Sequence, residues 1–186
     1  MKLLLPRLVI SDSVLESLST VLEATPENLE TGLTLFGAHH EGCHVVLHAV
    51  GPGADAIRYS TFHQPDVEFL NREFEQLASG EPALEWIGSL HVHPLGMPEL
   101  SAHDRRTVRR ILREDAPDLP DFVAGIIQRC DHYFAVYPYL VSPDDLHPWP
   151  IALEVVADSS PLFQGARARV RREAHVLAAV AGNCSR

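Results

Sequence analysis

The 186-residue sequence predicts an α+β fold in which a mixed central β-sheet is flanked by helices. Two observations predict it. Segments with strand character outnumber those with helical periodicity, and the two kinds do not alternate strictly, as a doubly wound parallel sheet would require. The composition, 46% hydrophobic and 22% charged, is that of a globular chain, and the length suffices for one domain with a sizeable core. With no internal repeat and no low-complexity tract, residues 1–186 read as a single domain whose last part, 160–186, is a terminal helix.

Leu3 to Ile10 is a short apolar run, read as an edge strand because Pro6 has no N–H to give to a ladder. Ser11 to Glu23 is helical: Ser11 or Asp12 caps it, and Val14, Leu15, Leu18, Val21 and Leu22 fall on one face. A loop around Pro26 leads to a strand from Glu30 to Gly37. His39-His40-Glu41-Gly42 reads as a hairpin turn into a second strand, Cys43 to Val50. Gly51 to Asp55 is a loop and Ile57 to His63 a third strand. Asp66 to Ser79 is a helix carrying Val67, Phe69, Leu70, Phe74 and Leu77, stopped by Gly80-Glu81-Pro82. Glu85 to Pro94 is a strand. Ser101 to Glu114 is a helix with Val108, Ile111 and Leu112 turned inward and its arginines outward. Phe122 to Arg129, His132 to Val141 and Pro150 to Asp158 are three more strands. Pro161 to Ala181 forms the terminal helix, ended by Gly182.

The chemistry concentrates between Leu90 and Asp104, which read H-x-H-P, six residues, then S-x-x-D. In a strand, positions i and i+2 face the same way, so His91 and His93 point together. Pro94 ends the ladder, and Leu95 to Leu100, with Gly96 and Pro98, form a loop. Ser101 has the character of an N-cap, and Asp104 falls in the first helical turn. Strand, loop and helix start can therefore bring two imidazoles and one carboxylate to one point. Three protein ligands with an open fourth position are the format of a catalytic zinc site. Each piece alone has a plainer meaning: S-x-x-D is an ordinary helix start, and H-x-H alone is more often two unrelated histidines. The joint spacing favours metal.

The pattern H-x-H-P-x6-S-x-x-D resembles the motif of the JAMM metalloproteases, within the JAB/MPN domain family. Glu30-Thr31-Gly32-Leu33-Thr34-Leu35-Phe36-Gly37 resembles the family's upstream segment that carries the catalytic Glu. It keeps Glu30 and the Gly seven residues later, and departs at Leu33, where relatives often have Gly. The resemblance spans residues 1–140 in layout, with its specific residues in these two segments. It implies an MPN/JAB-like fold with a cytidine-deaminase-like layout, and Glu30 as general base. Glu41 and Glu99 are the rival bases. It also implies a substrate: the isopeptide or peptide bond after the C-terminal tail of a ubiquitin-like protein, bound extended. Zn2+ held by His91, His93 and Asp104 would activate water, and Ser101 would donate a hydrogen bond to the oxyanion. The compact chain looks like a stand-alone prokaryotic-type member.

The formal net charge of −10 argues against a general nucleic-acid binder and suits an enzyme that meets a basic partner surface. Cys43, Cys130 and Cys184 are few and widely spaced, and read as reduced thiols in a cytoplasmic protein. The apolar start is too short for a signal peptide, and no segment approaches a membrane span. His39, His40, His44 and His48 cluster with Glu41 and Cys43 as a second, weaker metal candidate, with surface histidines as the plainer reading. His103 reads as a bystander or supporting group, and Asp131-His132 as a turn. Ser101 lacks the G-x-S-x-G elbow of a serine hydrolase. Arg105, Arg106, Arg109 and Arg110 read as a solvated face. Arg167, Arg169, Arg171 and Arg172 do too, with a homodimer contact as their other reading. Two functions of other classes stand beside the hydrolase. One is a metal-free MPN scaffold, which bound zinc would rule out. The other is a nucleic-acid-associated role like that of the RadC-like branch, which a salt-dependent DNA-binding assay would detect.

Overall fold

The computed structural model of the chain describes residues 5–94, 96–130 and 133–182, the stretch 172–182 by its backbone alone. In chain order the elements are β1 (Arg7–Ser11), α1 (Asp12–Glu23), β2 (Gly32–His40), β3 (Cys43–Val50), β4 (Ile57–Tyr59), β5 (Phe62–Gln64) and α2 (Val67–Gly80). There follow β6 (Glu85–Val92), α3 (Ala102–Arg110), a π-helical turn (Ile111–Asp115), β7 (Phe122–Arg129), β8 (Phe134–Val141), β9 (Trp149–Pro150), β10 (Ala152–Val156) and α4 (Pro161–Gly182). The α+β class read from the sequence holds. The main sheet has 8 strands in the order β10-β1-β3-β2-β6-β7-β8-β9, with β4 and β5 as a separate two-stranded sheet. It is mixed: β1 is parallel to β10 and β3, β6 is parallel to β7, and the other pairs are antiparallel.

The first apolar run is not an edge strand. β1 lies between β10 and β3. Pro6 stays ahead of the ladder and removes no hydrogen bond from it. Leu8, Val9 and Ile10 are fully buried, as in a strand covered on both faces. The run after Trp149 is not one strand either. β9 pairs with β8, β10 pairs with β1, and Ile151 between them donates its N–H to the Pro138 carbonyl at 3.0 Å. That single segment joins the two ends of the strand order and curls the sheet into a nearly closed barrel.

Burial explains why the helices sit where they do. Val14, Leu18 and Leu22 of α1 pack with Leu8, Ile10, Leu33, Leu35, Val46, Ile87, Leu90, Val123 and Ile127, one face of the curled sheet. On the other face, Phe163, Ala166 and Val170 of α4 cover Val9, Phe36, Ala38, Val45 and Leu47, with Phe74 and Leu77 of α2 at the margin. Val108, Ile111 and Leu112 cover Phe122, Ala124 and Ile126. The helix expected to run to Glu114 widens after Arg110, where the Ala116 N–H reaches the Ile111 carbonyl, and both Ile111 and Leu112 enter the core.

Two strand readings change in ways that matter for the site. The β2–β3 turn is tighter than expected. Only Glu41 (φ 50) and Gly42 (φ 75) lie outside the ladder, a two-residue turn of the kind that matches strand twist, so β2 runs on through His40. Ile57 to His63 is a small hairpin, turning at Ser60-Thr61, and not one strand. Ser11 is the N-cap of α1, and Asp66 that of α2.

Candidate metal centre

β6 ends at Val92, so His91 and His93 leave the strand on one side, both 7% exposed. Their Nε2 atoms are 3.0 Å apart. The loop that follows is tied down along its length. The His93 Nδ1–H donates to the Met97 carbonyl at 3.0 Å, Gln128 of β7 donates to the Gly96 carbonyl at 3.0 Å, and Leu100 is buried. Ser101 then caps α3 in a capping box: its Oγ accepts the Asp104 N–H at 3.2 Å, and its own N–H donates to Asp104 Oδ2 at 2.7 Å. The box aims the Asp104 carboxylate at the imidazoles, with Oδ1 3.3 Å from His91 Nε2 and Oδ2 3.4 Å from His93 Nε2.

These separations fit a tetrahedral ion. Bonds of about 2.0–2.2 Å place donor atoms roughly 3.3 Å apart, the spacing seen here. The Met97 carbonyl holds the proton of His93 on Nδ1 and leaves a lone pair on Nε2, the orienting contact that metal-ligating histidines use. Burial pushes the Asp104 carboxyl up, but the His91 and His93 imidazoles more than offset this and hold it well below the usual carboxylate range. Two imidazoles with one carboxylate match zinc and similar transition metals.

Glu30 lies just ahead of β2, and its N–H donates to the Tyr59 carbonyl at 2.8 Å. Gly32 is paired with His91 across β2–β6, and the Val92 N–H donates to the Thr31 carbonyl. The strand start therefore abuts the motif strand. Burial raises the Glu30 carboxyl above its ordinary value, against the pull of His91 and His93. Glu41 is in the β2–β3 turn, and Glu99 is exposed with its charge acting on Tyr139.

His63 is the neighbour that the sequence reading missed. The β4–β5 hairpin lies over the site, with the His63 ring 5.7 Å from that of His91 and Phe62 edge-on to His103 at 5.7 Å. Burial, with His91 beside it, lowers His63 to about 4, so its ring is neutral at neutral pH. Gly32 makes room for it: a Cβ there would lie 2.1 Å from His63 Nε2. Reading Ile57 to His63 as a single strand hid this wall. His103, exposed on α3, is at the rim.

The histidines of the β2–β3 hairpin do not form one cluster. His39 and His44 meet at Asp121, His48 pairs with Glu81 at 2.7 Å, and His40 lies 3.9 Å from Glu41. Cys43 faces Arg7 and joins none of them. Arg105, Arg106, Arg109 and Arg110 are exposed, as expected. Leu95, Asp131, His132 and Cys184 lie outside the described residues, as does the Arg172 side chain. No helix among the described residues is long and apolar enough to cross a membrane.

No family model and no curated protein matches the sequence. The fold is similar to the solution structure of a structural-genomics target from Desulfitobacterium hafniense, at 16% identity and a TM-score of 0.58, over 81% of this chain and 93% of that one. The likeness concerns the fold alone.

Proposed function

We propose that the chain is a zinc-dependent hydrolase with an MPN/JAB-like layout. It would cleave the isopeptide or peptide bond after the C-terminal tail of a ubiquitin-like protein. The observation that carries this reading is the convergence of two imidazole nitrogens and a carboxylate within 3.4 Å, beside a half-buried glutamate.

His91, His93 and Asp104 would hold the ion. Zinc there supplies Lewis acidity toward water and the scissile carbonyl. Glu30 takes the proton of the attacking water as its oxygen bonds to the carbonyl carbon, then hands it to the nitrogen as the C–N bond breaks. Its raised pKa suits both halves of that task. The Ser101 oxygen accepts the Asp104 N–H, which leaves the hydroxyl hydrogen free to donate to the carbonyl oxygen as charge builds there. Capping and oxyanion stabilisation are therefore compatible in one side chain. Neutral His63 and Phe62 wall the site against bulk water. The main sheet is nearly closed, so the sheet edges beside the site are those of β4–β5, where an extended tail could add a strand.

The test is hydrolysis of a ubiquitin-like fusion by wild type, Glu30→Gln, Glu41→Gln and Glu99→Gln, with zinc content measured alongside. Glu30→Gln should retain zinc and lose turnover by on the order of a hundredfold or more, while the other two stay near normal. His91→Ala should lose the zinc of this site together with turnover. Near-normal turnover in Glu30→Gln would reassign the base, and a wild type without zinc or activity would end the reading.

A further inference from the structure

We propose that the chain carries a second divalent-metal site, built from His39, His44 and Asp121 with Glu85 behind it, remote from the first. It stands whether or not the chain is a hydrolase.

The placement comes from strand register. His39 and His44 are direct partners across the β2–β3 hairpin. Asp121 ends the loop into β7, and Glu85 opens β6 opposite Gly37. His39 is near the far end of β2 from Gly32, the partner of His91, which puts the two groups about 20 Å apart at the rise of a strand. Asp121 Oδ1 lies 3.0 Å from His39 Nε2 and 2.8 Å from His44 Nε2. One donor atom from each residue lies within 4.8 Å of the others, as in the first group.

The hydrogen bonding points the same way. His39 Nδ1 is 2.6 Å from Glu85 Oε2, so the ring donates Nδ1–H to a carboxylate, the arrangement that orients a metal-ligating histidine. Nε2 then presents a lone pair to a carboxylate oxygen at 3.0 Å. Two acceptors at that distance need a positive charge between them, either a second proton on the ring or a cation. His44 is 3% exposed, and its buried Nδ1 has no hydrogen-bond partner. Coordination through Nε2 leaves that N–H unpaired, which makes His44 the weaker of the two imidazole ligands. The side chains of His39 and Asp121 are 30% and 21% exposed, so an ion can enter from solvent, and solvent can complete its coordination. Two imidazoles and one carboxylate select zinc or a similar transition metal over calcium and magnesium, which take oxygen. Such an ion would staple the β2–β3 hairpin to the loop before β7, across the β6 strand that separates β2 from β7.

The test uses the full chain, stripped with a chelator and titrated with Zn2+, with bound metal counted after desalting. Wild type should bind two equivalents. His91→Ala should bind one, His39→Ala/Asp121→Ala should bind one, and the three changes together none. No bound equivalent in His91→Ala, or as much bound metal in His39→Ala/Asp121→Ala as in wild type, would overturn the proposal. Should those variants not fold, His91→Ala alone decides: Zn2+ should raise its melting temperature where Mg2+ does not, and the absence of that rise overturns the site.

Discussion

The two histidine–aspartate groups use the same donors and differ in what the neighbouring carboxylate does. Beside His91, His93 and Asp104 stands Glu30, which burial raises above its ordinary value. Beside His39, His44 and Asp121 stands Glu85, which the His39 hydrogen bond holds below it. A carboxylate committed to orienting a ligand has no proton affinity left for a substrate, whereas a half-buried one without such a partner does. The first group also has a hydroxyl and a wall, Ser101 and His63. The comparison teaches that a donor set defines what ion can bind, and the next carboxylate defines whether chemistry follows.

The comparison would break first at Ser101 and Asp121. If the first group is catalytic, Ser101→Ala should lower turnover by about 10²–10³-fold, the range for losing one oxyanion donor. Losing its cap should cost about 1 kcal/mol, a few degrees in a domain of this size. Asp121→Asn should do the reverse, lowering the melting temperature while turnover per folded molecule stays within a factor of two or so, as for a change distant from the chemistry. Paired measurements of kcat and Tm on the two variants decide it. A melting point that collapses in Ser101→Ala with activity unchanged leaves capping as the only role of that serine.

A smaller effect is expected at the wall of the first group. Gly32→Ala places a methyl 2.1 Å from His63 Nε2, so the ring must move. The ring is held by burial, so the change should destabilise by roughly 1–3 kcal/mol, the range for overpacking. Removing the ring as well should relieve it. The double variant Gly32→Ala/His63→Ala should be more stable than the sum of the two single changes predicts, read from a denaturant double-mutant cycle. Additivity would mean that the hairpin over the site yields freely and walls nothing.

How far the sequence was legible follows from the same contrast. His91, His93, Ser101 and Asp104 lie within one strand–loop–helix start, where i/i+2 geometry and a capping box place every side chain locally. Asp121 could not be found that way. It is distant in sequence from His39, and only the β2–β6–β7 order brings it near. His63 was hidden by a turn without Gly or Pro at Ser60-Thr61, so Ile57 to His63 read as one strand. The nearly closed sheet was also out of reach, because it depends on one segment pairing with β8 and then with β1. β7 was legible to the residue, since Phe122 to Ile127 is a continuous apolar run, buried throughout, and Gln128 and Arg129 carry the strand to its end.

The smallest effect expected, and the one that separates proton from metal at the second group, is in the pH dependence of stability. In chelated protein, His39 is raised to about 9 by its hydrogen bonds to Asp121 and Glu85, against burial. His44 also faces Asp121, and Arg169 donates to the His39 carbonyl. A histidine raised above its ordinary 6.5 contributes stability that is fully present below that value and is lost as pH rises through about 9. Asp121 and Glu85 are lowered, so their share is present above the ordinary carboxylate range and is lost as pH falls through their folded values. The melting temperature in chelator should therefore be highest near pH 5–6.5 as far as this group is concerned, and decline toward pH 9, by about 2–4 °C for each kcal/mol lost. His39→Gln should flatten that alkaline decline. Zinc should flatten it too, because an ion in place of the proton is favoured as pH rises. The measurement is Tm from pH 5 to 10 with chelator and with zinc, in His91→Ala protein so that the first group does not contribute. An alkaline decline that zinc leaves untouched would mean that a proton alone closes the second group.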